Sequence, residues 1–235
     1  GEERGKVVEM KAMHIDVGAT SKDEVETLGV RLGDPVVPAA EFRVLGTGKT
    51  YVAKAFDDRV GVALLIDTAR HFARAPHPNL LYSAATVMEE VGTRGAQTSA
   101  AVVHPDAAII LEGDIAGDVP GIKPEEASAK LGGGPTLMLL DRRMVPNLRL
   151  RDLVIETARE REIPLQFSAH AAAATDGAVI HLHETGVPTV VIGVPTRYVH
   201  SHSGILHRED YDRALRLLIA VVEKLDAPTV EGLVD

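Results

Sequence analysis

The sequence predicts an α/β protein, with a mainly parallel (mixed) sheet flanked by helices and part of a small β domain in front of it. Three observations carry this. Beyond residue 50, short β-branched apolar runs alternate with longer amphipathic stretches, the pattern of strands and crossover helices. Before that point, turn signals recur every few residues, as in small β structure. The chain of 235 residues is 45% apolar and 25% charged, ordinary values for a globular protein with a core.

The elements follow in order. Ser21-Lys-Asp-Glu24 fits a capping box opening a short helix. Segment 28–50 carries Gly29, Gly33, Asp34-Pro35, Pro38, Gly46 and Gly48 between short apolar stretches, which predicts tight turns and short strands. Residues 60–72 have helical length and an apolar face, with Asp57-Asp58 just ahead. A strand is expected over 79–87, a helix over 95–103, and strands over 107–111 and 135–140. Leu148, Leu150, Leu153, Val154 and Ala158 mark a helix over 147–159. A strand at 165–168, a helix over 175–184 closed by Gly186, a β-branched strand at 187–194 and a helix over 208–225 complete the chain.

Composition excludes several functions. There are no cysteines, so disulfides, thiolate metal sites and cysteine nucleophiles are out. Net charge is −9, and aromatic residues are 3% with no Trp, which argues against nucleic-acid binding. No apolar run reaches the length of roughly 20 residues needed to span a membrane, and GEERGKVVEM is no secretory leader. A cytoplasmic protein is expected.

In sheets of this kind, sites form at the carboxyl ends of strands. Polar residues follow the apolar runs there. Thr86-Val-Met88 runs into Glu89-Glu90, Ile109-Ile-Leu111 into Glu112, and Val190-Val-Ile192 leads through Arg197 and Tyr198 to His200. Asp57-Asp58 opens a helix beside that edge. Crowded carboxylates repel one another and are costly to bury, and a divalent metal compensates both effects. Carboxylates mixed with imidazole suit zinc, cobalt or manganese better than calcium or magnesium. Two such ions, roughly 3.5–4 Å apart, need a bridging carboxylate and can clamp one activated water. In an adjacent acidic pair such as Glu89-Glu90, one carboxylate can bind metal while the other moves a proton.

Other features have plainer readings. Arg43–Thr50, RVLGTGKT, approaches a phosphate-binding loop but lacks its first glycine and its strand–loop–helix setting, so a turn is expected. His181 and His183 fall on the expected 175–184 helix, where packing or solvent explains them, and His202 lies near His200. Asp114 and Asp118 are expected to orient loops as hydrogen-bond acceptors. Ser168 and Ser201 lack a Gly-x-Ser-x-Gly elbow.

Longer motifs add a resemblance. Ala55-Phe-Asp-Asp-Arg-Val-Gly61, Glu89-Glu-Val-Gly-Thr-Arg-Gly95, Ala116-Gly-Asp-Val-Pro-Gly121, Asp141-Arg-Arg-Met144, Thr175-Asp176, Ile180-His-Leu182 and Val194-Pro-Thr-Arg-Tyr-Val-His-Ser201 stand in one order between residues 14 and 225. The chain thereby resembles the M42 family of dinuclear metalloaminopeptidases, which includes glutamyl aminopeptidases and the TET peptidases. The resemblance implies a zinc-exopeptidase-like fold and release of N-terminal residues from peptides. It implies two divalent ions, zinc first, with cobalt or manganese as alternatives. Asp57 would bridge the metals, Glu90, Glu112 and His200 would be further ligands, and Glu89 the general base and acid. Asp58, Asp118 and Arg197 would support them, with a cis peptide between Asp57 and Asp58. Residues 1–49 would be the end of an inserted β-barrel-like domain, and residues 50–235 the catalytic domain. Peptide substrates and a homo-oligomer, dimer-based or dodecameric, are implied too.

Departures from the family pattern define an alternative. Family members begin further upstream and carry an early His-x-Asp motif that supplies a metal-binding histidine. The sequence starts after that point, and His14 matches a strand of the inserted domain instead. Ala171–Ala174 replaces a stretch often rich in glycine. The alternative is a non-catalytic or truncated assembly subunit with an incomplete metal site.

Overall fold

The computed structural model describes residues 5–234. The chain separates into two compact units, with the division after Pro38.

In the first unit, a 3-10 turn at Met10–Ala12 precedes helix α1 (Lys22–Thr27). The capping box forms. Ser21 Oγ accepts from Glu24 N at 3.2 Å, and the Glu24 carboxylate reaches back to Thr20 N at 2.6 Å. The β structure expected over 28–50 is confined to the end of that span, which is a correction. Its first part has no strand: Pro35 and Pro38 remove ladder donors, Gly29 and Gly33 turn the chain at positive φ, and Leu32, Val36 and Val37 stay exposed.

The second unit holds β1 (Arg43–Val44), β2 (Thr50–Ala53), α2 (Phe56–Phe72), α3 (Arg94–Val103), β3 (Ala108–Ile115), β4 (Thr136–Asp141) and α4 (Leu148–Glu160). It continues with β5 (Gln166–His170), α5 (Gly177–Ile180), β6 (Thr189–Arg197), β7 (Gly204–His207), α6 (Arg208–Lys224) and α7 (Ala227–Glu231). One mixed sheet runs in the order β1-β2-β7-β6-β4-β5, with β3 also paired to β6. The pairs β3–β6 and β4–β5 are parallel, and the others are antiparallel. The loop Leu45–Lys49 joins β1 to β2 as a hairpin, with Leu45 N bonded to Thr50 O at 2.9 Å. The phosphate-loop look-alike is therefore a turn, as expected.

β6 is the hub. It pairs with β3, β4 and β7, and its run from Thr189 to Thr196 is buried throughout, which explains its continuous β-branched sequence. Side-chain alternation divides the core between the two faces of the sheet. Leu111, Leu137, Val190, Ile192 and Val194 pack with Leu64 of α2, Leu150 of α4 and Leu217 of α6. Ile110, Met138 and Val191 pack on the opposite face with Met144 and Ile180.

Two further expectations need correction. Residues 79–87 form no strand: no neighbour offers a ladder among the described residues, and Leu80 and Tyr82 are exposed. Asn79 instead donates its amide to the carbonyls of Val222 and Leu225, closing the end of α6. The helix expected over 175–184 is a single turn, α5. Beyond it the chain tightens through Glu184 and Gly186, both at positive φ, so His181 only caps the helix and His183 lies past it. β7 and α7 were not anticipated, being short and weakly patterned.

Leu137 is fully buried where β4 meets the helices. Leu137→Ala is expected to lower unfolding stability by about 2–5 kcal/mol. In a denaturant titration the midpoint should fall with the slope unchanged.

Candidate metal centre

The site begins at the start of α2. Ala55 lies at positive φ, Asp57 and Asp58 depart from helical dihedrals, and the peptide between them is cis. Regular helix starts after Asp58, whose carboxylate accepts from Gly61 N at 3.0 Å, the bond of a helix N-cap. A side chain at Gly61 would collide with that carboxylate. From the other side, β3 comes so close that a Cβ on Gly113 would lie 3.1 Å from Asp57 Cα. That approach sets Glu112 against the aspartate pair.

Glu89 and Glu90 lie in the turn before α3, held by bonds from Gly92 N and Thr93 N to Glu89 O. His200 occupies the turn between β6 and β7, with φ of 61°. Its Nε2 lies 3.1 Å from Asp57 Oδ2 and 3.2 Å from Glu90 Oε2. Asp57, Asp58 and Glu112 form a second group, with donor atoms within 4.8 Å of one another. Asp57 is common to both groups. Asp57, Asp58, Glu90, Glu112 and His200 thus converge, with Glu89 beside Asp57 and Glu90.

Electrostatics makes this convergence costly without a cation. Burial first, then Glu90, raises Asp57 to about 6, against the pull of His200. Burial first, then Asp176, Glu90 and Asp57, raises Glu89 to about 7. Burial pushes Asp58 up to about 8, although backbone bonds from Gly61 and Gly113 oppose it. Glu112 is pushed well up by burial and then by Asp58, Glu89 and Asp57. Half-buried carboxylates sharing one imidazole, short of positive charge, are a donor set that fits a divalent cation of the zinc, cobalt or manganese kind.

Asp176 is a participant that sequence reasoning named only as part of a motif. It is buried, its Oδ2 accepts from Thr86 Oγ1 at 2.5 Å, and its Oδ1 has no partner. It also raises Glu89, Asp58 and Glu112. The signal was available, since Thr175-Asp176 follows strand β5. His170 was missed altogether. Its Nε2 lies 2.5 Å from Asp114 Oδ1, and Thr136 Oγ1 bonds the other oxygen. Burial raises Asp114, but these bonds outweigh it and hold the carboxyl low, while Asp114 in turn raises His170.

Asp118 and Arg197 stand apart from the acid groups and pair with each other, Nε and Nη2 lying 2.9 and 2.6 Å from the two carboxylate oxygens. Asp118 also accepts from Leu131 N, so the pair fastens the loop after β3 to the end of β6. His202 belongs to no donor group among the described residues.

The family model for M42 glutamyl aminopeptidase matches residues 1–217. The chain belongs to that family. FrvX of Escherichia coli strain K12 is 41% identical over 221 residues, covering 94% of this chain and 61% of its own. The TET aminopeptidase of the marine-sediment archaeon Thaumarchaeota archaeon SCGC AB-539-E09 superposes with a TM-score of 0.95 at 50% identity, over 99% of this chain and 65% of its own. The TET1 peptidase of Pyrococcus horikoshii, described as assembling into a tetrahedron or a large octahedral shell, superposes with a TM-score of 0.77 at 28% identity, over 89% of this chain and 60% of its own. The chain thus spans less than two thirds of these relatives. No described helix is long and apolar enough to cross a membrane.

A pH dependence follows from the raised acids. Each binds its proton more tightly folded than unfolded, so its stabilising effect is complete below the ordinary carboxylate range and lost as pH rises through the folded value. In chelator, stability should therefore fall from about pH 4 to about pH 8, by at most about 1.4 kcal/mol per pH unit for each such group. Zinc or cobalt should flatten this slope, as should Asp58→Asn. Thermal melts across that range check it, and an equal slope with and without metal would refute it.

Proposed function

We propose that this chain carries the catalytic part of an aminopeptidase that releases N-terminal residues from peptides at a two-metal centre. The observation that carries the reading is Asp57, which belongs both to the Asp57–Glu90–His200 group and to the Asp57–Asp58–Glu112 group. A carboxylate shared between two donor groups is what a bridged pair of ions needs. In this reading Asp57, Glu90 and His200 would hold one ion, and Asp57 with Glu112 would contribute to holding the other. Zinc is the preferred ion, with cobalt or manganese as alternatives. Bound there, divalent ions supply Lewis acidity toward the scissile carbonyl and make an attacking water more acidic.

The residues of the chain do the rest. Glu89, half-buried and raised to about 7, is suited to take a proton from water and return it to the leaving amine. Asp58 holds the first turn of α2 through Gly61 and so fixes the direction of Asp57. The Asp118–Arg197 pair fixes the strand end that leads to His200. The excess of carboxylates favours a substrate with a free α-ammonium group. By similarity to the TET1 peptidase of Pyrococcus horikoshii, described as a tetrahedron, an octahedral shell or a dodecamer, the chain is proposed to act as a homo-oligomer, dimer-based or dodecameric, and a cytoplasmic location is proposed with it. Residues 1–49 are proposed to be the end of an inserted β-barrel-like domain, and residues 50–235 the catalytic domain.

One observation favours a second reading, a non-catalytic assembly subunit with an incomplete metal site. The Asp57–Asp58–Glu112 group contains carboxylates alone, with no imidazole. Metal analysis together with hydrolysis of aminoacyl amides separates the two. Two ions with turnover support the enzyme, and one ion or none without turnover supports the subunit.

Glu89→Gln is expected to lower kcat by about 100-fold or more while metal content stays as in the unmodified protein. Activity retained within a few-fold would overturn the assignment of Glu89.

A further inference from the structure

A second group of metal-ligating side chains lies away from this centre. His104 caps the end of α3, its N–H bonded to Ala100 O at 2.8 Å. His183 and Glu184 lie in the turns between α5 and β6. Far apart in sequence, these residues meet at the surface. His104 Nδ1 lies 2.8 Å from Glu184 Oε1 and 3.5 Å from His183 Nε2, and His183 Nε2 lies 3.7 Å from Glu184 Oε1. The side chains of His104 and Glu184 are 58% and 60% exposed, so a hydrated ion has open access.

The geometry points to a surface binding site for one zinc-class transition-metal ion, held by His104, His183 and Glu184.

Three arguments support it. A tetrahedral zinc with nitrogen and oxygen ligands at about 2.0–2.2 Å separates its donors by roughly 3.3–3.6 Å. The three observed separations bracket that range, so small side-chain rotations suffice. Next, two imidazoles direct ring nitrogens at one point. A hydrogen bond uses only one proton between them, whereas a cation uses both lone pairs. Finally, His104 and Glu184 both have positive φ, at 47° and 51°, which sets the directions in which the two backbones offer their side chains. Two imidazoles and one carboxylate, with water completing the shell, suit zinc, cobalt, nickel or copper and disfavour magnesium and calcium. Binding displaces at most the proton shared between His104 and Glu184.

The site is also separate from the acid centre. β3 and β6 run parallel, with Ala108 opposite Thr189. His104 and Glu184 precede the first residues of these strands, while Glu112 lies past the middle of β3 and His200 beyond the end of β6. An ion held here ties the end of α3 to the α5–β6 connection, two segments that otherwise meet through side chains at the surface.

The test uses zinc alone and cobalt alone. In a chain carrying Asp57→Asn, Glu90→Gln and His200→Asn, which removes the carboxylate common to both acid groups and the imidazole, one zinc per chain should remain after desalting. Adding His104→Gln and His183→Gln should remove it, with affinity at least tenfold weaker and the visible absorption of bound cobalt lost. Circular dichroism monitors folding. Should the combined variant not fold, Glu184→Gln alone decides, since its side chain is mostly exposed. Zinc stoichiometry and affinity unchanged by these substitutions would overturn the proposal, as would an equal loss from His71→Gln, which would mark binding shared by any surface histidine.

Discussion

The approach of β3 to the first turn of α2 governs the rest of the site. Gly113 leaves no room for a side chain against Asp57, and Gly61 leaves none against Asp58. These two absences let a helix start and a strand share one small volume, with three carboxylates between them. Their position is held from below. Asp114, next to Gly113, is buried and fixed by Thr136, His170 and the N–H of Ile115. Its fully bonded carboxyl and its lowered proton affinity contrast with Glu112, two residues earlier, which has been pushed the other way. The two acids belong to one strand, yet one is a structural anchor and the other a group in need of a counter-charge.

That contrast explains where the fold spends its hydrogen bonds. Asp58 receives backbone donors, and Asp114 and Asp118 receive a histidine and an arginine. Asp57, Glu89 and Glu112 are left facing one another, and their proton affinities rise together. Burial alone would raise them, and mutual repulsion raises them further. A protein core does not retain such an arrangement for stability, since an unpaired buried charge is among the costliest features a fold can carry. The deficit is local, and a divalent cation removes it at once.

Much of the architecture and of the acid cluster was legible in the sequence, for a physical reason. An apolar run that leads into a polar residue marks that residue as lying toward the carboxyl end of a strand, which singled out Glu112 and His200, while their roles as ligands came from the family resemblance. Asp57 and Asp58 are legible because they open a helix. What failed was whatever depends on a partner. Residues 79–87 have the composition of a strand, but a strand exists only where a neighbour supplies the ladder. The segment 175–184 has helical spacing, but the turns at Glu184 and Gly186 stop it after one turn. Asp114 and His170 are 56 positions apart, and no local pattern links them. His183 was read as a helix residue, and only the tertiary fold brings it to His104.

The two proposed ion-binding regions differ in the chemistry they offer, and the difference follows from where each lies. The acid centre is partly desolvated, so its carboxylates gain most from charge neutralisation and its preference among divalent ions depends on charge and on the single imidazole of His200. The His104–His183–Glu184 group is open to water and has one negative charge, so little electrostatic deficit drives binding there. Its affinity rests on two nitrogen lone pairs, which favour copper, nickel and zinc over manganese along the usual divalent series. One pair of parallel strands, β3 and β6, thus has an oxygen-rich, charge-driven region past its middle and a nitrogen-rich, donor-driven region before its start. An ion such as manganese should distinguish them, because it satisfies the charge demand of the first and lacks the nitrogen affinity that the second requires.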